Sequence, residues 1–324
     1  MSFRRPSFTD VVEAYRRIAG VVHKTPVVRS RLLDELTGCR LALKAENLQR
    51  AGAFKFRGAY NKIASLTEAE RAKGVIAFSS GNHAQGVALA ARLHGCRCTV
   101  VMPENSSPAK VRGVRQYGAQ LVFSGTGRGE REARAQSLIE EFGYTLVHPF
   151  ADPEVIAGQG TLVLELLEQV PHIDVFVAPV GGGGLMSGCA LAVRTLYPRA
   201  RIVGVEPEGA HDAHMSFAKG ELTAIDAPRS IADGLLASQI GEVNWAIMRE
   251  LVDEIVVVTD DEIRESMALI MSRTKLVVEP SGATAAAAVF AGKVDVAGQS
   301  VVCVLSGGNV DLAALGALLS EGRS

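Results

Sequence analysis

Residues 174–193 read DVFVAPVGGGGLMSGCALAV: an apolar run, four glycines, then an apolar helical pattern. A run that stays apolar without alternating suits a strand covered on both faces, as in a parallel sheet. Gly181, Gly182, Gly183 and Gly184 lack the Cβ that would stop main-chain N–H groups turning toward an anion. The helix that follows adds the positive end of its dipole, so a phosphate is the natural occupant of this turn. The plainer alternative is a flexible turn needing positive φ, but four consecutive glycines exceed that need.

The same pattern recurs on both sides. RLALKAE, GVIAFSS, CTVVM, QLVFS, RIVGVE, EIVVVT and VVCVLS read as further strands. Between them, HAQGVALAARLHG, GEREARAQSLIEEFG, GLMSGCALAVRTLYP and DEIRESMALIMSRTK read as helices. Strands alternating with helices predict an α/β chain with open, mainly parallel sheets. No low-complexity linker divides it, so a second domain has to be an insertion rather than a tail. In such folds ligands lie beyond the C-terminal ends of strands, at helix N-termini.

Bulk properties narrow the function. The 324 residues are 48% hydrophobic and 21% charged, with 34 basic against 35 acidic side chains and a net charge of −1. That balance gives no electrostatic footprint for nucleic acid or an anionic membrane. The apolar stretches fall short of a membrane span, and MSFRRPSFTD is not a signal peptide. Five scattered cysteines make no disulfide framework and suit a cytoplasmic protein.

Three more loops could carry chemistry. In AGAFKFRGAYNK, residues 51–62, Lys55 lies between two phenylalanines at a helix mouth, where a desolvated amine becomes a candidate covalent catalyst. In FSSGNHAQG, a strand delivers Ser79, Ser80, Gly81, Asn82 and His83 to a helix start; these cap the helix or receive a carboxylate. VVCVLSGGN ends a strand at Ser306, whose hydroxyl either closes a turn or meets a neutral ring nitrogen. GTGRGE, residues 125–130, imitates a dinucleotide fingerprint, but its third glycine is displaced and charged residues follow at once.

Taken together, AFKFRGAYNK, SSGNHAQG, VHPFADPEVIAGQGT, PVGGGGLMSG, GVEPEGAHD, IADG, KLVVEPSGA and LSGGNVD resemble the fold type II pyridoxal-phosphate enzymes. Within them the chain is similar to the threonine/serine dehydratase and serine racemase group. The resemblance implies the tryptophan synthase β-like fold: two open twisted sheets with flanking helices. A small mobile domain over 72–145 would be inserted in a large cofactor-binding domain of 1–68 and 149–324. It implies pyridoxal 5′-phosphate as cofactor, with Lys55 as the Schiff-base lysine and Phe54 beside it. Asn82 would face the pyridine 3-oxygen, Gly181 to Gly184 the phosphate, and Ser306 the pyridine nitrogen. Ser79, Ser80, Asn82 and His83 would receive the substrate carboxylate.

The activity implied is that of an ammonia-lyase acting on L-threonine or L-serine. Lys55 removes the Cα proton, the β-hydroxyl leaves, and a 2-oxo acid and ammonia result. Ser80, on the face opposite Lys55, keeps serine racemisation open as the alternative. Arg131, near the substrate in racemase relatives, keeps 3-hydroxyaspartate open, although a surface helix arginine reads equally well. EPEGAHD resembles a divalent-cation loop for Mg²⁺, Ca²⁺ or Mn²⁺, with Glu206, the Ala210 carbonyl and Asp212 as ligands; an acidic solvated loop is the alternative. Arg50 and Ala51 replace the Lys-Thr pair of ATP-binding racemases, so nucleotide activation is not expected. A C-terminal regulatory domain and isoleucine feedback are not expected either, and a homodimer or homotetramer is.

Overall fold

Alternate residues of each central strand meet different layers, and both layers are apolar. Val175 and Val177 face one side with Val203, Val205, Val301 and Cys303; Phe176 and Ala178 face the other with Ile202, Val302 and Val304. Such strands can only be interior, which places them in a parallel sheet sandwiched by helices. The computed structural model describes residues 4–106, 108–127 and 129–320 and shows this arrangement twice.

The strands of the described residues are β1 (Val27–Val28), β2 (Arg40–Ala45), β3 (Val75–Phe78), β4 (Cys98–Pro103) and β5 (Gln120–Ser124). They continue with β6 (Thr145–Leu146), β7 (Val175–Pro179), β8 (Arg201–Pro207), β9 (Glu254–Val258) and β10 (Ser300–Leu305). One sheet runs β1-β2-β10-β7-β8-β9, parallel except for β1, and the other runs β5-β4-β3-β6, parallel throughout. All eight strands expected from the sequence form. The two-residue β1 and β6 were not foreseen, because two residues display no period.

The helix Lys55–Ser65 joins the two halves. Its Phe56, Ala59 and Ile63 pack into the core of the smaller sheet, with Val75, Ala77, Val100 and Met102. Its other side lies on the helix Pro153–Gln169: Gly58 N–H donates to Gln159 Oε1 at 3.0 Å, and a Cβ on Gly158 would lie 2.6 Å from Gly58 Cα. Pro153–Gln169 in turn crosses Gly184–Leu196 closely, because Gly160 and Gly188 meet there. The tight crossing positions both helices that flank the four-glycine turn. Among the described residues, no helix is long and apolar enough to cross a membrane.

A Cβ added at Gly188 would lie 2.1 Å from the Ile156 carbonyl oxygen. Main chain cannot yield as a flexible side chain can, so Gly188→Ala should cost about 2–3 kcal/mol. Urea unfolding monitored by circular dichroism measures it; a midpoint equal to wild type would contradict the close crossing.

Candidate active site

Lys55 is the first residue of its helix, and no side chain caps that helix start. The segment before it is stitched to the end of β10: Phe54 N–H donates to the Ser306 carbonyl at 3.0 Å, and Ala53 pairs with Gly307. Lys55 Nζ donates to the Pro149 carbonyl at 2.8 Å and lies 5.1 Å from the Phe54 ring centroid. Burial of the amine, with no carboxylate to offset it, pushes its pKa down to about 8. A lysine so placed is partly neutral near physiological pH, which a nucleophilic amine requires.

Pro149 leads to the four-glycine turn. The Phe150 ring occupies the space a Gly182 side chain would fill, 2.3 Å from its hypothetical Cβ, and a Gly184 Cβ would lie 2.9 Å from Phe150 Cα. Gly181 is closed against Leu235 in the same way, at 3.2 Å. Gly183 takes φ +89° as the residue before Gly184–Leu196, a conformation that favours glycine. No side chain caps that helix start and no acidic residue lies in its first turn. Its dipole end therefore faces the turn without an anion of the protein's own. His148 fixes the approach: burial lowers its pKa to about 4, and its neutral Nδ1 accepts from the Phe150 and Ala151 N–H groups at 3.3 and 2.9 Å.

Asn82 begins a second helix with no side-chain cap, Asn82–Leu93. Its amide is held at both ends. Nδ2 donates to Glu279 Oε1 at 2.5 Å, and Oδ1 accepts from Asn309 Nδ2 at 2.8 Å. A Cβ on Gly307 would meet Asn82 Nδ2 at 3.0 Å, and one on Gly86 would lie 3.3 Å from the Lys55 carbonyl carbon. Phe54, Lys55, Asn82, Ser306 and Gly181 to Gly184 are thus joined by contacts through Gly307, Pro149 and Phe150. Ser306 Oγ donates to the Ser281 carbonyl at 3.1 Å.

The remaining expected residues are placed less centrally. Ser79, Ser80 and Asn82 are partly buried, and Ser79 Oγ accepts from Gly81 N–H at 3.2 Å. The His83 imidazole turns inward. It is 3% exposed, its Nε2 lies 2.8 Å from the Val147 carbonyl, and burial drops its pKa to about 3. Only its main-chain N–H is then suited to an anion. Arg131 is partly buried on the helix Glu130–Phe142, and within GTGRGE Arg128 lies outside the described residues.

Glu206 and Asp212 are fully buried. Glu206 accepts from the Ala213 and His214 N–H groups at 3.0 and 2.8 Å, whereas neither Asp212 carboxylate oxygen has a well-aligned hydrogen-bond partner, the Ile240 and Asp212 N–H groups only partly offsetting its burial. Burial raises Asp212 to about 7, and burial together with Asp212 raises Glu206. No group of three His, Cys, Asp or Glu side chains suited to a metal occurs among the described residues. This pair with the buried Ala210 is therefore two carboxylates and a main-chain carbonyl.

Glu279 went unassigned in the sequence although KLVVEPSGA contains it. It precedes a helix start, Pro280–Phe290, where a carboxylate ordinarily caps; here it caps nothing and reaches Asn82 instead. Burial raises it to about 8 against the opposing Asn82 hydrogen bond. Phe150 and Asn244, which holds the Phe150 carbonyl at 3.1 Å, carried no sequence signal beyond their neighbours.

Comparison with known proteins places this geometry. A family model described as pyridoxal-phosphate dependent enzyme matches residues 18–307. The L-threo-3-hydroxyaspartate ammonia-lyase of Saccharomyces cerevisiae is 45% identical over 97% of this chain and 97% of its own. The L-threonine ammonia-lyase of Thermotoga maritima is 42% identical over 97% of this chain and 78% of its own. Among solved structures, maize serine racemase superposes with a TM-score of 0.94 at 41% identity, covering 99% of this chain and 98% of that one. With a desolvated lysine, a glycine turn at an uncapped helix and a match of this extent, the chain belongs to the pyridoxal-phosphate dependent enzymes.

Proposed function

We propose that the protein is a pyridoxal-phosphate dependent ammonia-lyase that converts L-threonine or L-serine to a 2-oxo acid and ammonia. The observation that carries this reading is the Lys55 amine, kept out of water yet tied through Pro149 and Phe150 to the glycine turn. The uncapped turn at Gly181 to Gly184 suits the cofactor phosphate, Asn82 the 3-oxygen, Ser306 the ring nitrogen, and Phe54 and Lys55 the aldehyde side. When bound, the cofactor supplies an electron sink for charge developing at the substrate Cα. Ser306 offers a neutral hydroxyl, which does not favour a protonated ring as a carboxylate would.

The chain's own groups divide the remaining work. Main-chain N–H groups at Ser80 to His83, at the mouth of Asn82–Leu93, receive the substrate carboxylate. Lys55 Nζ takes the Cα proton, which its lowered pKa permits near neutral pH. The β-hydroxyl then takes up a proton and leaves as water, and water hydrolyses the remaining enamine, through its imine, to the 2-oxo acid and ammonia. Ser80 would return a proton to the opposite face of Cα, giving serine racemisation as a side reaction. The segment 72–145, which carries the smaller sheet, would move as a small domain on the large one of 1–68 and 149–324, and the Lys110–Asp233 contact at 2.5 Å would latch it.

A second reading concerns the substrate. The yeast relative is named for L-threo-3-hydroxyaspartate, and Arg131 lies in the first turn of its helix, at the same C-terminal edge of the smaller sheet as Ser79 and Ser80. Both observations support 3-hydroxyaspartate as a substrate beside threonine and serine. The same proposal includes a Mg²⁺, Ca²⁺ or Mn²⁺ ion on Glu206, Asp212 and the Ala210 carbonyl, because two buried carboxylate oxygens without a well-aligned partner call for a cation. Five buried free cysteines support a cytoplasmic setting, and the exposed Leu32, Leu36 and Leu312 support a homodimer or homotetramer.

Lys55→Ala should lose the visible absorption of lysine-bound cofactor and lower 2-oxo acid formation by at least about a thousandfold. Retained turnover would remove Lys55 from the chemistry. Given L-threonine, L-serine and L-threo-3-hydroxyaspartate, the wild type should release ammonia with the matching oxo acid; D-serine as main product would reverse lyase and racemase. Ser80→Ala should spare elimination while D-serine formation drops, and equal losses would deny Ser80 its separate role. Millimolar Mg²⁺ should raise the melting temperature of wild type but not of Asp212→Asn; equal responses would count against the cation site.

A further inference from the structure

The most unusual feature outside the cleft is a group of four charged side chains with almost no contact with water. Lys44, Glu46, Arg57 and Glu165 are each at most 1% exposed. They come from the β2 strand, the turn after it, the lysine helix and the helix Pro153–Gln169. Buried charges are ordinarily costly, so a ring of four that includes a residue of the lysine helix calls for a reason.

Every donor in the ring is matched. The Arg57 guanidinium grips Glu46 with both sides of its fork, Nε to Oε2 at 2.7 Å and Nη2 to Oε1 at 2.8 Å. Nη1 reaches Glu165 Oε1 at 2.7 Å and Thr161 Oγ1 at 3.4 Å, and the last Nη2 proton meets the His23 carbonyl at 3.3 Å. Lys44 Nζ donates to Glu165 Oε2 at 2.5 Å, the Thr25 carbonyl at 2.8 Å and Gln169 Oε1 at 2.9 Å. Thr25 completes the carboxylates, its hydroxyl on Glu46 at 2.5 Å and its N–H on Glu165 at 3.2 Å. Two positive and two negative groups cancel.

We infer that Arg57 is a positioning residue for Lys55: its fully engaged fork fixes the first turn of the lysine helix, and with it the reach of the Lys55 amine. The inference rests on the reading of Lys55 as the cofactor-binding amine. Arg57 lies two residues after Lys55 in that turn and touches the reacting groups nowhere, so it acts through the main chain. That turn has no side-chain cap to hold it. Besides the Gly58 N–H on Gln159, it is fastened on both sides of Lys55: residues 53 and 54 are tied to Gly307 and Ser306, and Arg57 is tied to Glu46 and Glu165. A lysine carries four flexible methylenes, so only a fixed Cα makes the position of Nζ reproducible. A planar fork held by five acceptors specifies an orientation that apolar packing would not.

The experiment compares Arg57→Lys and Glu165→Gln with Ile63→Ala, a core variant at the far end of the same helix that lowers stability without touching the ring. For each, the melting temperature of cofactor-free protein is measured. The protein is then loaded with pyridoxal 5′-phosphate and reduced with borohydride, and the fraction of label on the Lys55 peptide is counted. Kinetics are taken below every melting point. Both ring variants should lose most of the Lys55 label, with kcat down by about ten- to a hundredfold and KM within about threefold. Ile63→Ala should label as wild type does, however far its melting temperature falls. Ring variants that label and turn over like Ile63→Ala overturn the inference and leave Arg57 a stability residue. If neither ring variant folds, Thr25→Val, which deletes one hydroxyl on Glu46, decides by the same comparison. Wild type without label on Lys55 would instead overturn the reading of Lys55 itself, a different result.

Discussion

An amine that is to react as a free base has to be kept from water and yet kept in place, and these demands conflict. Water removes the problem of placement by hydrating an ammonium anywhere, at the cost of leaving it protonated. Here the Lys55 amine gives up that hydration for one carbonyl, that of Pro149, and sits beside the Phe54 ring rather than a carboxylate. A pKa near 8 disfavours the ammonium by roughly 3 kcal/mol relative to an exposed lysine. The rest of the cleft follows from holding that group still.

The surroundings use main chain where a ligand's charge is expected and side chains where orientation is needed. Helices opening at Lys55, Asn82 and Gly184 carry no side-chain cap, whereas Thr67, Asp152 and Thr259 cap their helices with a side-chain oxygen. Leaving a helix start open costs stability, and other starts are open too, those of Glu242–Leu251 and Pro280–Phe290 among them; these three are joined by the contacts through Gly307 and Phe150. Neutral histidines serve as fixed acceptors or fillers: His148 aligns Phe150 behind the glycine turn, and His83 closes on Val147.

Much of this was legible in the sequence because it depends on local pattern. Strands buried on both faces show as unbroken apolar runs, as VVCVL does in β10; QLVFS became β5 residue for residue although Phe123 stays exposed. The glycine turn was legible for the same reason, as a close turn between two apolar elements, and the crowding by Phe150 and Leu235 with the positive φ of Gly183 shows why glycine stands there. Interactions that join distant segments were not legible. Nothing local marks Glu46 or Arg57; the fold brings Glu165, more than a hundred residues away, between Arg57 and Lys44. Glu279 was hidden likewise, because its partner Asn82 lies 197 residues off. The inward turn of His83 was invisible too, since its sequence neighbours are polar and its spatial neighbour, Val147, is not.

The central claim is that burial alone, with no charged partner, makes this one amine available near neutral pH. Nitrogen NMR on cofactor-free protein carrying labelled lysine tests it directly, with the Lys55 resonance identified by its loss in Lys55→Ala. The account predicts titration near pH 8. Titration near 10.4, the value of a lysine in water, would contradict it.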